Sequence, residues 1–291
     1  MKRMQEVQDI ALTHSGKFHA DDVFSAALLK MCNPDLKIVR KFEVPPDFTG
    51  IVFDIGRGRF DHHQENAEVR ENGVPYAAFG LLWREFGESL LVGKGCPEEE
   101  AVKEAARFDE GFVQPIDDDD NTGCGNQLAG VIGSFNPNWD SEEPADECFE
   151  KAVCFAQVIL NRKLEGIVSV QRARSLVEAS LAEATDNIVI LPRFAPWKMV
   201  LIPSAAEFVI YPSQRGGYSA QVIPIDFNTR EVKCGFPEEW AGRPKEELQE
   251  MTGIETLTFC HKGCFIISAD ELEDTIKACE LARRYKKTVE V

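Results

Sequence analysis

The alternation of element types in the N-terminal part of the chain constrains the fold most. Residues 7–14, Val-Gln-Asp-Ile-Ala-Leu-Thr-His, read as a short strand ending in polar residues. A glycine-containing turn follows, then an apolar run from Asp22 to Met31 in which Val23, Ala26, Ala27 and Met31 keep helical spacing. Leu36 to Phe42 reads as a second strand. Thr49 to Ile55 reads as a third, with Asp54 near its carboxyl end. Strand, helix, strand, with polar groups at the strand ends, implies an open α/β fold with a parallel sheet. Such sheets bind ligands just beyond the carboxyl ends of their strands. His14 and Asp54 both fall there.

Further on, Tyr76 to Arg107 is patterned as helix, with a break at Gly93 to Pro97. The segment 117–126 reads as a polar, glycine-containing loop, and 145–182 as one long helix or a close pair. Pro192 and Pro196 mark a change of texture. Short strand-like runs follow at Met199–Ile202, Phe208–Tyr211, Tyr218–Ile225 and Leu257–Ser268. Ser268-Ala-Asp-Glu271 has the capping-box pattern and is expected to open a last helix running to about Tyr285. The expected division is therefore a parallel-sheet N-terminal domain with helical segments, 1–190, and a smaller α+β C-terminal domain, 191–291.

Composition removes several classes of function. No apolar stretch approaches the roughly 20 residues of a membrane span, and Met1 to Asp9 lacks the apolar core of a secretory signal. The nine cysteines are scattered, with no Cys-x2-Cys pair, which argues against a zinc ribbon or a thioredoxin-like motif. Their apolar neighbours, as in Ala152-Val153-Cys154-Phe155, suggest buried thiols in a reducing, cytoplasmic setting. A formal net charge of −17 argues against a broad surface for duplex DNA. It leaves room for a short nucleic acid or a nucleotide at a local site, because clustered carboxylates are neutralised by the cations they bind. Self-association into an oligomer is compatible with this pattern.

The histidines carry the chemistry. There are five, and four of them fall in two tight clusters beside aspartates. The first cluster is His14-Ser-Gly-Lys-Phe-His19-Ala-Asp21-Asp22, in the turn between the first strand and the helix. Asp22 there also reads as a helix cap. The second is Asp54-Ile-Gly-Arg-Gly-Arg-Phe60-Asp61-His62-His63-Gln64. Imidazole with carboxylate oxygen suits Mn, Fe or Zn better than calcium. His62 and His63, being adjacent, are not expected to ligate one ion in the same way. Asp117-Asp118-Asp119-Asp120 could supply one further carboxylate, from Asp117 or Asp120, although acidic runs are commonly solvated loops.

With these residues in view, the chain resembles the DHH phosphoesterase superfamily, and within it the Myg-type exonuclease family. The matching pieces are Thr13-His14-Ser-Gly-Lys-Phe-His19-Ala-Asp21-Asp22, Asp54-Ile-Gly, Phe60-Asp61-His62-His63-Gln64 and Asp117-x-x-Asp120-Asn121. Further pieces are Gly217-Tyr-Ser-Ala-Gln-Val-Ile-Pro224, Phe236-Pro-Glu-Glu-Trp240 and Phe259-Cys-His261-Lys-Gly263-Cys-Phe-Ile. The resemblance implies a DHH-type domain bearing two divalent ions, usually Mn or Mg, followed by a substrate-binding domain. His14, His19 and Asp54 would hold one ion. Asp21, Asp54, His62 and Asp120 or Asp117 would hold the other, with Asp54 bridging. Asp61 would orient His62 through its ring N–H, and His63 would contact the scissile phosphate. The chain departs from the superfamily's His-x3-Asp-x-Asp by reading His14-x4-His19-x-Asp21, and from the family's Asp-Asn-Gly by reading Asp120-Asn121-Thr122.

Two ions of this kind activate water for in-line attack on phosphorus. Lys17, Arg57, Arg59, Arg215, His261 and Lys262 are candidates for holding the substrate, with His261 equally readable as a buried structural residue between Phe259 and Phe265. The expected activity is 3′-5′ exonucleolytic cleavage of short or single-stranded RNA or DNA. The competing readings are hydrolysis of a small phosphate compound (pyrophosphate, a dinucleotide or a nucleoside bisphosphate) and metal binding without turnover, as in a regulatory protein.

Overall fold

Ile10 to Leu12 is apolar on both faces of an extended chain, the pattern of a strand covered from two sides. In the computed structural model, which describes residues 9–289 with side chains through Tyr285, this run forms β1 (Ile10–His14). Val7 and Gln8, expected in the same strand, lie outside the described residues. β1 is central in a three-stranded sheet, with β2 (Lys37–Lys41) and β3 (Ile51–Val52) parallel to it on either side. The lysines at both ends of β2 suit an edge strand. Helix α1 (Ala20–Cys32) makes the crossover from β1 to β2, as parallel pairing requires. Nearly every α1 side chain is buried, because helices cover the side away from the sheet as well.

Those helices are α2 (Ala78–Gly93), α3 (Glu98–Phe108), a wide turn at Asp109–Val113, α4 (Gln114–Thr122) and α5 (Gln127–Gly133). Phe24 of α1, Phe79 of α2 and Phe112 of the wide turn meet at ring separations of 5.4–6.4 Å and join the layers. Helix α6 (Ala145–Ala182) follows as one continuous helix.

The chain divides into two compact units, 1–168 and 169–291. The division falls within α6, ahead of the expected boundary near 190. Side-chain spacing explains the difference. Ala152, Val153, Ala156, Leu160, Leu164 and Val168 complete the first core, whereas Ala173 and Val177 pack with Trp197, Leu201, Val209 and Tyr211.

The second unit holds β4 (Ile188–Ile190), α7 (Lys198–Leu201), β5 (Phe208–Pro212), β6 (Tyr218–Val222), α8 (Lys245–Thr252), β7 (Leu257–Cys260), β8 (Ile266–Ala269) and α9 (Leu272–Val289). Its sheet is mixed, in the order β4-β5-β6-β8-β7, parallel only between β4 and β5. Alternate residues of β5 enter different cores, Phe208 and Ile210 one, Val209 and Tyr211 the other.

Several expectations change. Met199–Ile202 lies in and beside the short helix α7, not in a strand, since four apolar residues carry no period of their own. The acidic run is helical. Ser268 caps nothing: it sits in β8, and its hydroxyl is 2.9 Å from that of Ser219. Of the cysteines, Cys124 and Cys154 are exposed. Among the described residues no helix is long and apolar enough to cross a membrane.

Asp117, a candidate ligand from its sequence context, has a structural job instead. Its carboxylate is fully buried, accepting the Gly80 N–H at 3.0 Å and an Arg70 Nη2 bond at 2.8 Å. Arg70 also donates to Asp109 at 2.7 and 2.8 Å and to the Pro75 carbonyl at 3.0 Å. A β-carbon on Gly80 would lie 1.9 Å from the Asp117 carboxylate, so only glycine permits α2 and α4 to approach this closely. Asp117→Ala leaves the buried Gly80 N–H without its acceptor and removes one of the two carboxylates on Arg70, and should cost about 1–3 kcal/mol, read as a lower urea midpoint. Gly80→Ala should also destabilise, although alanine is the better helix former; a wild-type midpoint in either variant would contradict this account.

Candidate metal centre

The carboxyl ends of β1 and β3 and the first turn of α1 open onto a cavity of about 720 Å³, lined by His14, His19, Asp54, Asp61, His62, His63 and Asp120. β1 delivers His14. The turn through Gly16 reverses the chain so that α1 starts at Ala20, placing Asp21 and Asp22 in its first turn. Asp54 follows β3 with φ of 57°, an uncommon conformation that aspartate tolerates better than most residues. Its N–H donates to the Phe60 carbonyl at 2.9 Å, which ties the strand end to the segment carrying Asp61, His62 and His63. Such outliers cluster at functional sites, where surrounding structure holds them.

Three groups of ligand atoms result, each lying within 4.8 Å of one another: His14, Asp22 and Asp54; His19, Asp21 and Asp120; Asp54, Asp61, His62 and His63. Asp54 joins two groups. One of its oxygens is 3.2 Å from His14 Nε2, and the other is 3.4 Å from His62 Nδ1. His62 in turn places Nε2 3.0 Å from Asp120. His14 and His19 fall in different groups, not together as the family resemblance implies.

Asp22 belongs to the first cluster of candidate ligands and also reads as a helix cap. It is that, accepting the His19 N–H at 3.0 Å, but its second oxygen lies 3.0 Å from His14 Nε2. The adjacency of two aspartates after His19 was the available signal. Asp61 also differs from expectation. It orients His63, whose Nδ1 is 2.8 Å away, and not His62. Burial works against ionisation of Asp61, but N–H bonds from His63 and Arg57 outweigh it and hold the carboxyl below its usual range.

Lys17 and Arg57 line the cavity. Arg59 does not; it pairs with Glu85 and lies over Phe60. Arg215, His261 and Lys262 belong to the second unit. His261 is exposed, not buried, and its Nδ1 accepts the Gly263 N–H at 2.9 Å.

The donor set fits divalent cations on an observation independent of any family. Both oxygens of Asp21 are buried without a hydrogen-bond partner, and the buried second oxygen of Asp22 and the Asp54 oxygen nearest His62 face the imidazoles of His14 and His62, at 3.0 and 3.4 Å, in contacts that are not well-formed hydrogen bonds. Buried polar atoms rarely remain so, and carboxylates gathered this closely repel one another. The strain appears in their protonation. Burial, reinforced by the carboxylates of Asp54, Asp120 and Asp22, pushes Asp21 well above the usual carboxylate range. A cation would satisfy these lone pairs and remove the repulsion together.

The MYG1_exonuc model, described as an uncharacterised protein family (UPF0160), matches residues 10–283. A MYG1 protein of Dictyostelium discoideum is 26% identical over 298 residues, covering 87% of this chain and 90% of the relative. A MYG1 protein of Saccharomyces cerevisiae is 26% identical over 320 residues, covering 93% and 94%. The MYG1 exonuclease of Homo sapiens is 29% identical over 302 residues, covering 87% and 80%. No solved structure matches the chain significantly. The matched span runs from the first residue of β1 into the last helix, and on that extent the chain belongs to the MYG1_exonuc family.

Proposed function

We propose that this chain is a divalent-metal-dependent phosphodiester hydrolase with a DHH-type catalytic N-terminal part and a substrate-binding C-terminal part. It trims short or single-stranded RNA or DNA from the 3′ end, in the cytoplasm. The observation that carries the reading is the gathering of Asp21, Asp22, Asp54 and Asp120 with the imidazoles of His14, His19 and His62 into groups of ligand atoms at the strand ends, both Asp21 oxygens being buried and unpartnered. The relatives named MYG1 exonuclease support the choice of a nuclease.

His14, Asp22 and Asp54 would hold one ion. Asp21, Asp54, His62 and Asp120 would hold the other, with His19 at its exposed edge. Mn²⁺ or Mg²⁺ suits the carboxylate-rich set, and the imidazoles favour Mn²⁺. Bound there, the ions supply Lewis acidity toward phosphoryl oxygens and a water acidic enough to ionise near neutral pH. The chain's own groups do the rest. His63 is exposed at the cavity wall with Nδ1 engaged by Asp61, which leaves Nε2 to meet a phosphate oxygen. Asp61 is a positioning group, held by the backbone N–H groups of Arg57 and His63. Lys17 and Arg57 offset the charge of the arriving phosphate. Arg215, His261 and Lys262 are the second unit's candidates for the same work.

The net charge of −17 favours a second reading, hydrolysis of a small phosphate compound. Purified protein with Mn²⁺ separates the two when given end-labelled RNA and, in parallel, pyrophosphate and a dinucleotide. Stepwise release of mononucleotides is the expected result; turnover of the small compounds alone would sink the exonuclease assignment.

Ligand removal gives the next expectation. Asp54→Ala should abolish Mn²⁺ uptake and hydrolysis together, and Asp61→Ala should lower kcat/KM about 10- to 100-fold while metal is retained. Hydrolysis surviving Asp54→Ala would refute the site; Mn²⁺ uptake by wild type without any hydrolysis would mark a regulatory protein.

A pH dependence follows from the protonation of the ligands. Burial alone would lower His14, but contacts with Asp22 and Asp54 push it up to about 10 in the metal-free protein. Asp21 and Asp22 are raised too, chiefly by burial. Protons and cations therefore compete for the same lone pairs, and rising pH favours the cation. Mn²⁺ affinity should strengthen from pH 6 to 8 by about tenfold per unit for each proton displaced. Calorimetry in buffers of different ionisation enthalpy should count at least one proton released per ion, whereas pH-independent affinity would remove His14 from the ligand set.

A further inference from the structure

β1 carries the chain to His14, and the Ser15 N–H still donates to the Lys41 carbonyl of β2 at 2.8 Å. There the chain leaves the sheet, and α1 begins only at Ala20. The intervening Gly16, Lys17, Phe18 and His19 bring two side chains to the cavity wall, Lys17 and His19. Phe18, between them, is fully buried, the alternation expected of an extended chain. Its ring packs edge-on against Phe149 of α6, with centroids 5.5 Å apart.

Two side chains from distant parts of the sequence hold this segment by its backbone. Asn136, in the turn after α5, accepts the Phe18 N–H at 3.0 Å and donates to the Phe18 carbonyl at 2.9 Å. A carboxamide offers donor and acceptor side by side, so one side chain satisfies both backbone groups of one residue. A second bond from Asn136 Nδ2, to the Gly133 carbonyl at 3.1 Å, ties the carboxamide to its own turn. Arg40 of β2 donates from Nη2 to the Gly16 carbonyl at 2.7 Å and from Nη1 to Asp146 at 2.9 Å. Its guanidinium lies 4.6 Å from the centre of the Phe149 ring, which fixes where it can stand.

The His19 ring itself has little to hold it. It is exposed, and its Nδ1 lies 3.8 Å from the Asp120 carboxylate. Its place at the cavity therefore depends on the backbone that delivers it, and that backbone is set at Phe18. Ligand groups must be held to within about 0.5 Å of their working geometry by the residues behind them. Asn136 and Arg40 stand behind His19 in this sense, since neither lines the cavity.

We infer that Asn136 and Arg40 are positioning residues of the metal centre: by fixing the backbone at Gly16 and Phe18 they set His19 where it can join Asp21 and Asp120 on a cation. The inference rests on the metal-dependent reading above and adds to it two residues that contact neither ion nor substrate.

The test is a double-mutant cycle read by Mn²⁺ calorimetry at fixed pH, with Asn136→Ala, His19→Ala and the two together. Asn136→Ala should weaken Mn²⁺ binding about tenfold, the lower end of the loss usual when a group that orients a ligand is removed. In the His19→Ala background the same change should cost less than about twofold, because no ring remains to be placed. Arg40→Lys keeps the charge but cannot span the Gly16 carbonyl and Asp146 as the planar fork does. It should behave in the same way, and it serves if the alanine variant unfolds. Thermal unfolding followed by circular dichroism establishes that each variant compared is folded. Equal losses in both backgrounds would make the two residues purely structural and overturn the inference, as would unchanged affinity in Asn136→Ala. His19→Ala with wild-type affinity overturns it too, by removing His19 from the ligands, and leaves the metal-dependent reading standing. Wild type that takes up no Mn²⁺ overturns that reading and the inference with it.

Discussion

Carboxylates resist being gathered in a place that water cannot reach, because each loses hydration and each repels the next. Asp21, Asp22, Asp54 and Asp120 are nevertheless brought to one end of the parallel sheet, three of them buried. The architecture of the first unit is largely what makes that possible. β1 and β3 set His14 and Asp54 side by side. The first turn of α1 presents two aspartates to them, at the helix end where negative charge is best tolerated. α4 brings Asp120 to within 3.0 Å of His62. Apolar packing through Phe24, Phe79 and Phe112 holds these pieces against their mutual repulsion.

Neighbouring identical residues divide their labour because of helix and loop geometry. Asp117 and Asp120 sit one turn apart on α4. The first is buried against Gly80 and Arg70 and anchors the helix; the second reaches His62. Replacing either would thus be felt differently, one in folding and the other in the site. The adjacent His62 and His63 separate in the same way. His62 lies between Asp54 and Asp120, while His63 turns outward with its ring held by Asp61. Composition alone treats these pairs as interchangeable. Their backbone positions do not.

Much of the candidate site was legible because its side chains are close in sequence. His14, His19 and Asp21 share one turn, and Asp54, Asp61, His62 and His63 another, so residue type and spacing sufficed to mark them as candidates, and the structure brings them into neighbouring groups. The strand ends at His14 and Asp54 were equally visible, since hydrophobic runs of strand length stop there. Legibility failed where a segment is too short for its period to register. Met199–Ile202 became part of a helix and β4 passed unnoticed for this reason. It failed again where one residue has two partners: Asp22 caps α1 and also faces His14.

What the sequence determined by itself is the chemistry available: which side chains can bind cations, in which clusters, and at which strand ends. Only the tertiary structure decided how those clusters combine. It divides His14 from His19, assigns Asp61 to His63, and withdraws Asp117 and Arg59 from the cavity. The reason is physical. Local propensity fixes an element's type and the spacing of its side chains. Which of them share a pocket depends on packing between elements far apart in the chain, as when the Gly80 backbone meets Asp117 on α4, the helix that also carries Asp120 to His62.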